Sequence, residues 1–74
     1  DIRVNCIVPG VIRTPMTTKY IDENLNKIIK PIALNRIGKT TDVANAALFL
    51  SSDLSNYISG AVLEVTGGKY LTQL

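Results

Sequence analysis

The chain has 74 residues, is 46% hydrophobic and 19% charged, and carries a formal net charge of +2. That length allows one small domain, which alone buries only roughly 60% of the surface its unfolded form exposes, and basic residues scattered from Arg3 to Lys69 leave no footprint for nucleic acid or an acidic membrane. The lack of histidine removes the commonest metal ligand and general base, no apolar run approaches a membrane span, and the single Cys6 permits no internal disulfide, which fits a reducing, cytoplasmic setting.

The first element is a strand. Ile2 to Val8 is rich in β-branched residues, and Pro9-Gly10 ends it because proline removes a ladder donor and glycine frees the turn. Asp1 is not an initiator methionine, and the strand pattern begins one residue later. A partial chain is the simpler expectation. Val11 to Met16 reads as a loop leaving the strand's carboxyl end. Thr17 to Lys30 carries a helical stripe, with Ile21, Leu25, Ile28 and Ile29 at i, i+4, i+7 and i+8. Thr17 or Thr18 could cap this helix, Asp22 and Glu23 suit its N-terminal half, and Pro31 stops it.

Ile32 to Lys39 is a connector punctuated by Gly38. A second helix opens at Thr40 or Thr41, with Asp42 in its first turn, and runs to about Ser52. Its body, Val43 to Leu50, is apolar almost all round and wants cover on several sides. Ser55 to Gly60 is a turn, and Ala61 to Val65 is a second strand closed by Gly67-Gly68. Strand, helix, helix, strand is a crossover pattern, which predicts two parallel strands of an α/β sheet. Parallel strands are normally buried on both faces. Two strands and two helices cannot complete that burial, so the fold is incomplete by itself.

Ligands of open α/β sheets bind outside the carboxyl ends of the strands, which directs attention to Val8 through Met16. Gly10 admits a close backbone approach, Pro9 and Pro15 stiffen the loop, and free amides with the Thr14 hydroxyl can hydrogen-bond a flat polar ligand. The same residues also read as a routine strand exit with a surface threonine. Cys6 reads as a small buried strand residue rather than a nucleophile.

Val4-Asn5-Cys6-Ile7-Val8-Pro9-Gly10-Val11-Ile12-Arg13-Thr14 resembles the motif Asn-x-x-x-Pro-Gly-x-Ile-x-Thr of classical short-chain dehydrogenases/reductases. Asn35-Arg36-Ile37-Gly38, Asp42-Val43-Ala44, Phe49 to Asp53, Tyr57 to Gly60 and Glu64 to Gly68 follow in the family's order. The likeness covers essentially the whole chain. One departure is Thr40-Thr41, where the family often has Pro-Glu.

The resemblance implies the C-terminal part of a Rossmann-type doubly wound parallel sheet, with residues 1–74 forming the closing segment of one NAD(P)-binding domain. It implies that Pro9 and Gly10 shape the wall for the nicotinamide ring. Ile12 would bind the carboxamide through its backbone, and Thr14 would hydrogen-bond the carboxamide or a phosphate of NAD or NADP. Met16, Ile21 and Leu25 would belong to a mobile substrate lid, although their stripe equally suits core packing. Asn5 matches a structural asparagine. The family's Gly-rich loop and catalytic Ser, Tyr and Lys would lie upstream. Tyr20, Tyr57 and Tyr70 are none of them followed by lysine four positions on, so no catalytic residue and no metal ligand is assigned here.

Within the family, Thr14-Pro15-Met16-Thr17 and Gly67-Gly68-Lys69-Tyr70 look similar to bacterial 3-oxoacyl-[acyl-carrier-protein] reductases. Sugar, steroid and diol dehydrogenases share much of the pattern. The expected substrate is a carbonyl compound or acyl thioester, and the expected assembly is a homotetramer. The alternative is a non-catalytic interaction module whose tail residues Tyr70, Leu71 and Leu74 drive association.

Overall fold

The computed structural model describes residues 1–69, and the tail contacts expected of Tyr70, Leu71 and Leu74 lie outside the described residues. Strand β1 (Cys6–Pro9) pairs in parallel with β4 (Val62–Val65), from Cys6 opposite Val62 to Pro9 opposite Val65. Helix α3 (Thr40–Ser51) packs on this pair, contacting both strands. The crossover and the parallel pairing are as the sequence predicts, and the architecture is an incomplete α/β fold.

The strand begins later than its β-branched run. The Asn5 carboxamide explains this: its oxygen accepts from the Ala61 N–H at 2.9 Å, and its nitrogen donates to the Ile58 carbonyl at 3.1 Å. A side chain thus takes a bond that a backbone ladder would otherwise make. Just before it, the Val4 carbonyl accepts from Gly60 N–H at 2.7 Å. Ser55, fully buried, donates to the Leu50 carbonyl at 2.9 Å and accepts from the Arg3 guanidinium at 3.3 Å. This ties the end of α3 to the chain entering β1. Both arrangements satisfy polar atoms that burial would otherwise penalise.

Three expectations need correction. The predicted loop after β1 contains a short strand, β2 (Ile12–Arg13), bridged in parallel to β3 (Gly38–Lys39). The helix predicted over 17–30 is two helices, α1 (Thr18–Glu23) and α2 (Leu25–Ile29), separated at Asn24 with φ −128° and ψ 23°. The Asn24 side chain donates to the Tyr20 carbonyl at 2.9 Å, a local bond of the kind that competes with regular helix. Cys6, expected to be buried, is exposed. Its neighbour across the ladder, Val62, is 64% exposed, because among the described residues no layer covers that face of the strand pair.

The core is correspondingly small. Ile21 and Ile32 are its buried hydrophobic residues among those described. Helix α3 has no buried residue, and Leu48 remains 68% exposed. The need for further cover that the apolar body of α3 implied is therefore visible in the structure. No helix among the described residues is long and apolar enough to cross a membrane.

Candidate functional site

The carboxyl ends of β1 and β4 lie side by side, and the chain turns there through Gly10. Gly10 N–H donates to the Val65 carbonyl at 2.9 Å. A Cβ on Gly10 would stand 2.9 Å from the Thr66 Cα, so only glycine lets the two strand exits close together. Pro9, Gly10, Ile12 and Thr14 thereby share one loop at the sheet end where α/β folds bind ligands.

β2 holds this loop. Gly38 N–H donates to the Val11 carbonyl at 3.0 Å, which turns the N–H and C=O of Ile12 itself away from β3. The Ile12 carbonyl accepts from the Thr17 hydroxyl at 2.9 Å. Its N–H is thereby left outside the β2–β3 ladder.

Thr14 is the most heavily bonded residue of the loop. Its N–H donates to the Thr17 hydroxyl at 2.9 Å, and its own hydroxyl lies 3.1 Å from that oxygen. Its carbonyl accepts from the Thr18 hydroxyl at 2.7 Å and from the Thr17 and Thr18 amides. Thr17 occupies the N-cap position of α1 but makes no capping bond, so its predicted capping role gives way to the loop. The spacing Thr14, Thr17, Thr18 is the one sequence signal that could have disclosed this network.

The three residues assigned to a lid sit differently. Met16 is 93% exposed and Leu25 39% exposed, while Ile21 is 1% exposed and belongs to the core. Helix α1 is tied to β2 by Arg13, whose guanidinium lies 2.9 Å from the Asp22 carboxylate. That pair is exposed and contributes little stability by itself.

Sequence reasoning did not foresee the pairing of Arg36 with Asp42. The guanidinium meets the carboxylate at 2.9 and 3.2 Å, and Lys39 N–H donates to the same carboxylate at 2.8 Å. Arg36 and Asp42 line a cavity of about 180 Å³ that Ile12 also borders. The Arg36 guanidinium, followed by the Lys39 N–H, holds the Asp42 carboxyl down at about 2. Asp42 thus fixes the start of α3 and the residues of β3 that bridge to the loop.

A pH dependence follows. A carboxyl depressed in the folded state contributes stability that is present above its unfolded value and lost as pH falls through its folded value. The stability difference between the native chain and Asp42→Asn is expected to stay constant from neutral pH to about 4, then to shrink toward zero near pH 2. Urea titrations of both proteins across that range measure it. A difference that instead shrinks between pH 7 and 5 would contradict the assignment.

Among the described residues there is no group of three or more His, Cys, Asp or Glu that could hold a metal ion. The loop instead offers one outward N–H donor and one hydroxyl, two residues apart on a glycine-led turn. That combination fits the carbonyl and amino groups of a carboxamide.

Comparison with known proteins bears on the family to which the chain belongs. A family model described as Enoyl-(Acyl carrier protein) reductase matches residues 1–69. The chain is 52% identical over 68 residues to 3-oxoacyl-[acyl-carrier-protein] reductase FabG of Chlamydia trachomatis, covering 92% of this chain and 27% of that protein. It is 50% identical over 69 residues to a short-chain type dehydrogenase/reductase of Sinorhizobium fredii, again covering 92% and 27%. Among solved structures, it superposes with a TM-score of 0.80 and 40% identity on an Agrobacterium tumefaciens protein described as a 2-deoxy-d-gluconate 3-dehydrogenase and solved with bound NADP. That match covers 89% of this chain and 28% of the other. The chain spans about a quarter of the length of the curated relatives it matches.

Proposed function

We propose, for a chain that belongs to the short-chain dehydrogenase/reductase family, that the full-length protein is an NAD(P)-dependent oxidoreductase. Residues 1–74 form the C-terminal segment of its single nucleotide-binding domain and contribute the carboxamide end of the cofactor site. The observation that carries this reading is the loop from Gly10 to Thr14, with the Ile12 N–H turned outward and the Thr14 hydroxyl two residues on.

When bound, the dinucleotide supplies a hydride acceptor or donor on its nicotinamide ring. The residues of this chain orient that ring. Pro9 and Gly10 form the wall beside it, Ile12 N–H donates to the carboxamide oxygen, and the Thr14 hydroxyl bonds the carboxamide nitrogen. Fixing the carboxamide fixes which ring face meets the substrate, which is the orientation a protein provides to a cofactor. Met16, in the turn before α1, and Leu25, at the start of α2, present apolar surface to the substrate, while Ile21 anchors α1 in the core. The proton is handled by a Tyr–Lys pair outside these 74 residues, since none of the three tyrosines here has a lysine four positions on.

The substrate we propose is a 3-oxoacyl thioester, on the support of the 52% identical reductase. Cytoplasmic placement and homotetrameric assembly of the full-length protein belong to the same proposal, resting on the lone cysteine and the family likeness respectively.

The test is a turnover assay on the full-length polypeptide. NADPH and NADH oxidation are followed with a 3-oxoacyl thioester, and NAD(P) reduction with a sugar, a steroid alcohol and a diol. Thioester-dependent oxidation at least tenfold above the other substrates is expected. Turnover of a sugar or steroid with none of the thioester replaces the substrate while keeping the oxidoreductase. Absence of dinucleotide binding overturns the reading altogether.

A further inference from the structure

The Thr17 hydroxyl sits between the two residues assigned to the carboxamide, and its hydrogen bonds can be counted. A threonine hydroxyl has one proton and two lone pairs. The Ile12 carbonyl, at 2.9 Å, is the closest acceptor for that proton; the Thr14 carbonyl is farther, at 3.4 Å. One lone pair takes the Thr14 N–H at 2.9 Å. The other faces the Thr14 hydroxyl at 3.1 Å. With its own proton committed to Ile12, Thr17 can only accept from Thr14.

The consequence falls on Thr14. Its hydroxyl proton points to Thr17, and one of its lone pairs takes the Thr17 N–H at 3.2 Å. What remains is a single lone pair, so Thr14 faces a ligand as an acceptor and not as a donor. The same Thr17 proton holds the Ile12 carbonyl, one α-carbon away from the outward Ile12 N–H, whose own peptide is held at the Val11 carbonyl by Gly38. Thr17 achieves this by forgoing the capping bond that its position at the start of α1 would allow.

We propose that Thr17 is a positioning residue that sets the hydrogen-bonding sense of the site: Ile12 N–H donates, Thr14 accepts, and the pair selects a ligand bearing an amide over one bearing a ketone. The inference rests on the functional reading above and adds the residue that enforces its polarity. A phosphate oxygen, which offers no proton to the Thr14 lone pair, is disfavoured at this position.

The probe is the 3-acetylpyridine analogue of the dinucleotide, which keeps the carbonyl and replaces the amino group by methyl. Dissociation constants of the native dinucleotide and this analogue are measured on the full-length polypeptide and on Thr17→Val and Thr17→Ser. The unmodified protein is expected to favour the carboxamide form roughly tenfold, the scale of one hydrogen bond. Thr17→Val, which keeps the shape and loses the hydroxyl, is expected to lower that ratio several-fold, because the freed Thr14 hydroxyl can still accept but is no longer held with its lone pair toward the ligand. Thr17→Ser is expected to restore it.

A merely structural role for Thr17 would weaken both ligands together. An unchanged ratio in Thr17→Val therefore overturns the inference, whatever happens to stability. A ratio of one in the unmodified protein overturns it as well, while leaving dinucleotide binding intact. Binding of neither ligand by the unmodified protein overturns the functional reading itself.

Discussion

Replacing Gly68 by alanine is expected to destabilise the full-length protein by about 2–4 kcal/mol, the sum of a backbone cost and a packing cost. Gly68 has φ +86°, a region that side-chain-bearing residues rarely adopt, and a Cβ there would stand 2.7 Å from the Ala33 Cβ. A methyl that is one bond from the backbone cannot swing aside. The preceding Gly67 carbonyl accepts from Leu34 N–H at 2.9 Å, so the glycine pair after β4 and the connector after α2 are held together at this spot. Ala33→Gly in the same background removes the collision and leaves the dihedral strain. It is expected to recover about half of the loss. Urea denaturation of the single and double variants measures both parts, and a Gly68→Ala protein within about 0.5 kcal/mol of the parent would show that the chain relaxes freely here.

Gly10→Ala is expected to act on function as much as on stability. The new Cβ would lie 2.9 Å from the Thr66 Cα, and the contact is with backbone, so the ends of β1 and β4 must part. The bond from Gly10 N–H to the Val65 carbonyl lengthens first. An overpacked contact of this kind costs about 1–3 kcal/mol. The loop carrying Ile12 and Thr14 starts at the displaced residue, and misplacing positioning groups by about 1 Å costs on the order of 100-fold in catalysis. Dinucleotide affinity is expected to fall roughly tenfold or more. Trimming Thr66 to alanine should recover little, because the 2.9 Å contact is to its Cα and survives the trim. That contrasts with the Gly68–Ala33 pair, where a side chain is the obstacle. Unchanged affinity in Gly10→Ala would separate the glycine from the site.

Helix α3 was legible from residues alone because its determinants are local. Thr40, Asp42 in the first turn and a run of good helix formers specify it within one stretch of chain. Pro31 and Gly67-Gly68 mark their boundaries for reasons carried by single residues, a missing donor and positive φ. Parallel pairing was legible too, since a helical crossover between two β-branched runs leaves few topologies. The loop from Pro9 to Thr14 stood out because of where such loops lie on a sheet, and its resemblance to a known motif named the roles proposed for it.

Tertiary structure decided the rest. The stripe Ile21, Leu25, Ile28, Ile29 has one periodicity, yet Ile21 is buried, Leu25 is half exposed and the helix breaks at Asn24. Periodicity reports a face but not what covers it, and the competing bond from Asn24 to the Tyr20 carbonyl leaves no trace in the pattern. The β2–β3 bridge joins residues more than twenty positions apart through two residues on each side, too few for any alternation to be read. Cys6 looked like a core residue because β-branched neighbours imply burial, but burial needs a second layer that these elements do not supply. Thr17 looked like a cap because caps are local. The nearby Ile12 carbonyl and Thr14 amide offer its hydroxyl better partners, and only the folded loop brings them within reach. Composition and spacing thus determined the elements and their order. The choice of partner for each polar group was made by contacts that exist only once the loop has closed.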